Sequence, residues 1–148
     1  MDPAGETWGG DYDFIGGTAY STGAAVLGTP TPALYQSSRY GNFSYQIPVA
    51  NGSYTVVLKF ADPYFTEPGS RVFNVSINGA RVLTNFDIVA NAGGGLRALD
   101  TSFPVNVMNG QISIQFTAGP ADYPTVSAIA ILPSGTSLPP SIAPYPVQ

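Results

Sequence analysis

The chain contains no cysteine and no histidine. These absences exclude disulfides, thiolate and imidazole metal sites, cysteine nucleophiles and every triad built on a histidine. Cations are nearly as scarce. Lys59 is the single lysine, and Lys and Arg together number five against nine acidic residues. Nucleic-acid backbones are bound by clustered cations that displace counterions, so no nucleic-acid partner is expected. Charged side chains make up 9% of the sequence, against about 25% in an average soluble protein. No apolar run approaches the ~20 residues of a membrane-spanning helix, and the polar start Met1–Gly10 does not read as a signal peptide. Gly93–Gly95 is not followed by the lysine of a phosphate-binding loop and reads as a flexible loop near a binding face. No D-x-D-x-D loop is found, so neither metal nor cofactor is expected.

What is present argues for one well-packed domain. A chain of 148 residues buries roughly two-thirds of the surface it exposes when unfolded. Apolar residues reach 44%, with nine Tyr and eight Phe, so the low charge does not signal disorder. Seventeen Gly and 14 Pro leave little room for helices. The best helical candidate is the short Pro32–Ser38. Between the breakers lie runs rich in Val, Ile, Tyr, Phe and Thr, which suit a pleated surface. Asn42–Val49 alternates Phe43, Tyr45, Ile47 and Val49 on one face. Tyr54–Phe60 turns Tyr54, Val56, Leu58 and Phe60 inward. Arg71–Ile77, Arg81–Phe86, Thr101–Met108 and Gln111–Thr117 read as further strands, and the almost wholly apolar Val126–Leu132 as a late central one. Asn51–Gly52, Asn78–Gly79 and Asn109–Gly110 are hairpin signals. The predicted fold is an all-β, antiparallel β-sandwich over residues 1–132.

From Pro133 the composition changes. Pro139, Pro140, Pro144 and Pro146 cannot donate ladder hydrogen bonds, so residues 133–148 read as a Pro-rich arm or linker, docked on something.

Many aromatics stand in loops or at strand ends. Tyr20 follows Gly16–Gly17, Tyr40 opens the first clear strand, Tyr64–Phe65 closes FADPYF, and Asp122–Tyr123–Pro124 precedes the last strand. A sugar ring offers apolar C–H faces and a rim of hydroxyls. Aromatic faces with a carboxylate that accepts hydroxyl hydrogen bonds match it chemically. The plainer alternative is that these tyrosines cap the core with their hydroxyls at the surface.

Several blocks carry a resemblance: D-x-x-G-x-x-W-x-x-D-x-x-F-x-G-G over Asp2–Gly17, then LYQSSRYGNFSYQIPV, NGSYTVVLKFADPYF, GSRVFNVSING, TNFDIVANAGG and PADYPTVSAIAI. Together they resemble a malectin or malectin-like carbohydrate-binding domain from about Asp2 to Leu132. The resemblance implies a jelly-roll-like β-sandwich that binds glucose-containing oligosaccharides without catalysis, through four aromatics and one aspartate. Matched by motif, these are Tyr20, Tyr40, Tyr64, Phe65 and Asp122. It also implies a secreted or cell-surface setting. Two departures stand out. The family usually has Glu where Asp62 stands. Its domains also begin with a hydrophobic strand of the type R-I-N-x-G-G, which is absent here.

A sheet edge left open in this way would attract strand addition. The arm, with Leu138, Ile142, Tyr145 and Val147 along it, is the obvious donor. If it reaches a neighbour head to tail, a filament results. Otherwise it is a linker laid along its own domain.

Other signals weigh less. Asp11 with Asp13, or Asp62 with Glu67, could form a glycosidase pair only across the right gap, and no enzymatic activity is expected. Trp8 reads as packing. Arg39, Arg71 and Arg97 read as partners of carboxylates such as Asp87 or Asp100, and Asp87 as structural. The glycosylation sequons at Asn42, Asn51 and Asn74 are few enough to arise by chance.

Overall fold

The computed structural model describes residues 13–133 and 145–146, which form two antiparallel sheets with a shared apolar interior. The first sheet contains β1 (Phe14–Ser21), β2 (Ser37–Pro48), β4 (Val72–Ile77), β5 (Ala80–Phe86), β7 (Gln111–Ala121) and β8 (Thr125–Val126), in the order β1-β2-β7-β4-β5 with β8 also on β2. The second contains β3 (Gly52–Phe60), β6 (Leu99–Val107), β9 (Ala128–Pro133) and β10 (Tyr145–Pro146), in the order β10-β9-β3-β6.

The alternation read from the sequence fills the space between them. Phe43, Tyr45 and Ile47 of β2 and Val56, Leu58 and Phe60 of β3 are all buried in one cluster. Aromatic contacts join the layers directly: the Phe60 ring lies 5.9 Å from Phe73 and 5.1 Å from Phe86. Rings packed edge-on or tilted add about 0.5–1.5 kcal/mol per pair beyond their burial.

Three expectations are corrected. Of the three Asn-Gly dipeptides, Asn78–Gly79 alone makes a strand hairpin, between β4 and β5. A two-residue hairpin turn of this kind needs positive φ at both central positions. Asn78 and Gly79 supply φ of 48° and 84°, whereas Asn51 and Asn109 are not in that region. Asn51–Gly52 and Asn109–Gly110 instead carry the chain from one sheet to the other. They are tied together by Gly110 N–H donating to Asn51 Oδ1 at 2.9 Å. β2, β3 and β7 bury alternate residues beside these turns and β6 half-buries its own down to Val107, so the runs face each other across the core rather than along one ladder.

Secondly, Val126–Leu132 is not one strand. It divides at Ser127: β8 pairs with β2 in one sheet and β9 with β3 in the other. Ser127 N–H donates to the Lys59 carbonyl at the crossing.

Thirdly, the expected helix at Pro32–Ser38 is a single turn, α1 (Pro32–Tyr35), because Ser37 already enters β2. A second short helix, α2 (Ile88–Ala92), is capped by Asp87, whose Oδ1 accepts from Ala90 N–H, and ends at Gly93 with φ 88°. Asp87 is structural, as its sequence context suggests.

Of the arm, Tyr145 and Pro146 pair antiparallel with Ile129 and Ala128 of the same chain. Leu138, Ile142 and Val147 lie outside the described residues, as do Trp8 and Asp11.

Candidate functional site

One end of the sandwich is shaped by three backbone irregularities. Between β1 and β2 a single residue, Gly17, opposes both Gly41 and Asn42, because Gly16 pairs with Phe43 and Thr18 with Tyr40. A bulge of this kind bends a strand and re-aims its side chains. A side chain on Gly17 would meet the Tyr40 carbonyl at 3.0 Å and Arg39 Cγ at 2.9 Å, so only glycine fits. Beyond the bulge, Tyr20 stands opposite Ser38, and Tyr40 opposite Thr125 of β8.

The second irregularity lies between β4 and β7. Val72 pairs with Ala121 but Phe73 with Ala118, so Gly119 and Pro120 are extra. The third is the gap where the chain leaves β7 and rejoins β2 as β8. Asp122 turns that corner at φ 54°, a conformation that Asp tolerates better than most residues.

The loop after β3 closes the site, and it is organised by a carboxylate. Asp62 is fully buried. Its Oδ1 accepts from the backbone N–H of Tyr64 at 3.0 Å and of Phe65 at 2.9 Å. This local turn fixes both aromatics. Its Oδ2 accepts from Arg71 Nε at 2.7 Å. Arg71, itself buried, donates from Nη1 to the Tyr123 carbonyl, lies 3.9 Å from Asp122 Oδ1, and places its guanidinium 5.1 Å from the Phe65 ring centre. Asp62 and Arg71 therefore join the loop that carries Tyr64 and Phe65 to the corner that carries Asp122. Gly95 backs this loop: a Cβ there would come within 2.4 Å of the Phe65 carbonyl oxygen.

The result is a cleft of about 360 Å³ lined by Tyr20, Ser38, Tyr40, Pro63, Tyr64, Arg71, Asp122 and Thr125. Four of the five residues singled out from the sequence, namely Tyr20, Tyr40, Tyr64 and Asp122, lie in its lining. Phe65 does not. It stands behind Tyr64, ring to ring at 4.8 Å and nearly perpendicular. Tyr64 is 74% exposed, and Asp122 keeps 41% of its side chain open. Asp122 Oδ1 accepts from Tyr123 N–H at 2.7 Å, which orients the carboxylate.

Sequence reasoning missed Ser38, Pro63, Arg71 and Thr125. Of the carboxylate pairings expected for the arginines, that of Arg71 is present, with a partner other than Asp87 or Asp100. Arg71 uses Asp62, and Asp100 is held by Lys59 at 2.8 Å and by the Tyr35 hydroxyl. Arg39 lies over the Phe14 ring and donates to the Gly16 carbonyl. Asp87 is occupied by the α2 cap and by Gly69 N–H. The D-P-Y-F spacing, an Asx-turn pattern, was the one available signal for Asp62. Among the described residues there is no group of three or more acidic side chains that could hold a metal ion, and no helix is long and apolar enough to cross a membrane.

Comparison with known proteins converges on one family. The family model for the Malectin domain matches residues 1–129. The chain is 33% identical over 129 residues to Malectin-B of Xenopus laevis, with 76% of this chain and 46% of that protein covered. It therefore spans less than half of that relative's length. Among solved structures, the extracellular domain of ANXUR1 from Arabidopsis thaliana is similar, with TM-score 0.70, 16% identity, and coverage of 78% of this chain and 38% of that one. The Bacteroides uniformis β-glucuronidase is similar to the same degree over a small part of itself, with TM-score 0.69, 22% identity, and coverage of 80% of this chain and 14% of that one. These two likenesses speak to the fold.

Proposed function

This chain belongs to the malectin domain family, and from that premise we propose that it is a non-catalytic carbohydrate-binding module for an oligosaccharide, glucose-containing in the first instance. The observation that carries the reading is that one cleft is lined by Tyr20, Tyr40, Tyr64 and Asp122 together. Tyrosine faces supply apolar contact to the C–H patches of a pyranose, and their hydroxyls reach its rim. Asp122 accepts hydrogen bonds from sugar hydroxyls, and such charge-assisted bonds are about twice as strong as neutral ones. Phe65 acts from behind, holding the Tyr64 ring. The setting in this reading is extracellular or the cell surface.

Asp122→Asn keeps the shape of the corner and removes its charge. A loss of about 1–3 kcal/mol in binding free energy is expected for the best-bound glycan of a neutral oligosaccharide array. Calorimetric titration of both forms checks it, and equal affinities would remove Asp122 from the site.

A second reading has one observation in its favour: residues 145–146 of the Pro-rich arm add to the edge of β9 by main-chain pairing. Delivered to the β9 of a neighbouring copy instead, the same segment would link sandwiches head to tail into a filament. In that case the chain would sediment as concentration-dependent oligomers that vanish on deletion of residues 134–148. A monomer at all concentrations, with or without the arm, counts against it.

A further inference from the structure

Two residues of the cleft lining carry buried hydroxyls that have no partner within the protein. Ser38 is 2% exposed and Thr125 1%, and Ser38 Oγ and Thr125 Oγ1 make no hydrogen bond. Both residues line the cleft. Among the described residues, the remaining buried side-chain polar atom in this condition is Ser127 Oγ, and Ser127 is not part of the lining. A buried hydroxyl without a partner is unfavourable, and folded proteins rarely leave one without a use. The strand register gives these two a common setting: Ser38 lies directly across from Tyr20, and Thr125 directly across from Tyr40. Each hydroxyl thus stands one ladder rung from an aromatic ring of the cleft.

We infer that Ser38 and Thr125 are ligand-binding residues, the polar floor of the cleft. They bond the hydroxyls on the inner edge of a pyranose that rests against Tyr20 and Tyr40. The ligand is then a saccharide whose inward edge carries free hydroxyls, and analogues deoxygenated or methylated on that edge are rejected. A site built to hydrogen-bond a hydroxyl discriminates strongly against a ligand that lacks it, because its own buried group is then stranded. The inference rests on the carbohydrate reading above and goes beyond it by assigning the floor.

The test uses the full chain and, as probe, the best-bound member of a set of neutral glucose di- and trisaccharides of α and β linkage, titrated by calorimetry. Ser38→Ala and Thr125→Val are expected to weaken binding by roughly 3- to 10-fold each. Their thermal midpoints without sugar should be unchanged or raised, since an apolar replacement removes a stranded hydroxyl. Ser127→Ala should share the thermal effect and keep wild-type affinity. This opposite movement of stability and affinity is what a merely structural role would not produce. If both floor variants bind as the wild type does while Tyr64→Ala loses affinity, the floor assignment is wrong and the carbohydrate reading stands. Equal weakening by Ser127→Ala, or a lowered midpoint in both floor variants, would also overturn the assignment. If the wild-type chain binds no member of the set, the glucose reading and the floor assignment fall together.

Discussion

Replacing Asp62 with Ala is expected to destabilise the chain by about 3–5 kcal/mol, the cost of stripping one partner from a buried ion pair. For a domain of this size that corresponds to a fall of roughly 10 °C in the thermal midpoint. The cause is specific. Arg71 is only 6% exposed, and without Asp62 its guanidinium would face Asp122 at 3.9 Å as its nearest remaining carboxylate. The same substitution frees the Tyr64 and Phe65 N–H groups and so loosens the aromatic loop. Sugar binding should therefore fall together with stability. Asp62→Asn separates the two effects: its amide oxygen can still accept from the loop, while the charge facing Arg71 is gone. It should keep more of the binding than of the stability. Thermal denaturation and calorimetry on both variants check this, and an unchanged midpoint in Asp62→Ala would show that the pair does not hold the loop and the corner together.

Tyr64→Ala is expected to do the reverse. The ring is mostly in solvent and, among the described residues, has Phe65 as its aromatic contact, so removing it should leave the midpoint within about 2 °C of wild type, as surface substitutions usually do. Affinity should drop by about 2 kcal/mol, roughly 30-fold, the scale of covering one aromatic side chain with a ligand. Wild-type binding by Tyr64→Ala would mean that the sugar sits elsewhere, since this is the most exposed ring of the cleft. Taken together, the two substitutions distinguish a group that builds the cleft from one that fills its mouth.

Much of this architecture can be read from the sequence, and the limits of that reading have physical causes. Phe43, Tyr45 and Ile47, or Val56, Leu58 and Phe60, declare a buried face because a strand repeats every two residues. Which strand lies beside which is another matter. Asn51–Gly52 and Asn78–Gly79 are identical as dipeptides, yet one spans the two layers and the other closes a hairpin, because packing across the core outweighs local turn preference. β1 escaped notice for a related reason: Gly16 and Gly17 look like breakers but serve a bulge. The tyrosines of the cleft are legible because they stand outside the inward alternation: Tyr20 near the end of β1, Tyr40 inside β2 ahead of its alternating run, and Tyr64 in the loop after β3. Ser38 and Thr125 were not, since a serine or threonine becomes informative only when its surroundings deny it a partner. The same holds for Arg71, whose importance lies in joining two loops that are distant in sequence.

The crossing at Ser127 has a mechanical meaning. Thr125 sits in the floor of the cleft, and three residues later the same backbone begins β9, to which the last strand of the chain is zipped. Tension arriving from the C-terminal side would travel up β9 and reach the cleft through Val126 and Ser127, with no slack loop between them. Occupancy of the cleft and load on the tail are in series, so once β9 has peeled from β3 the load falls on Thr125, and a bound sugar should raise the force needed to pull β8 from β2.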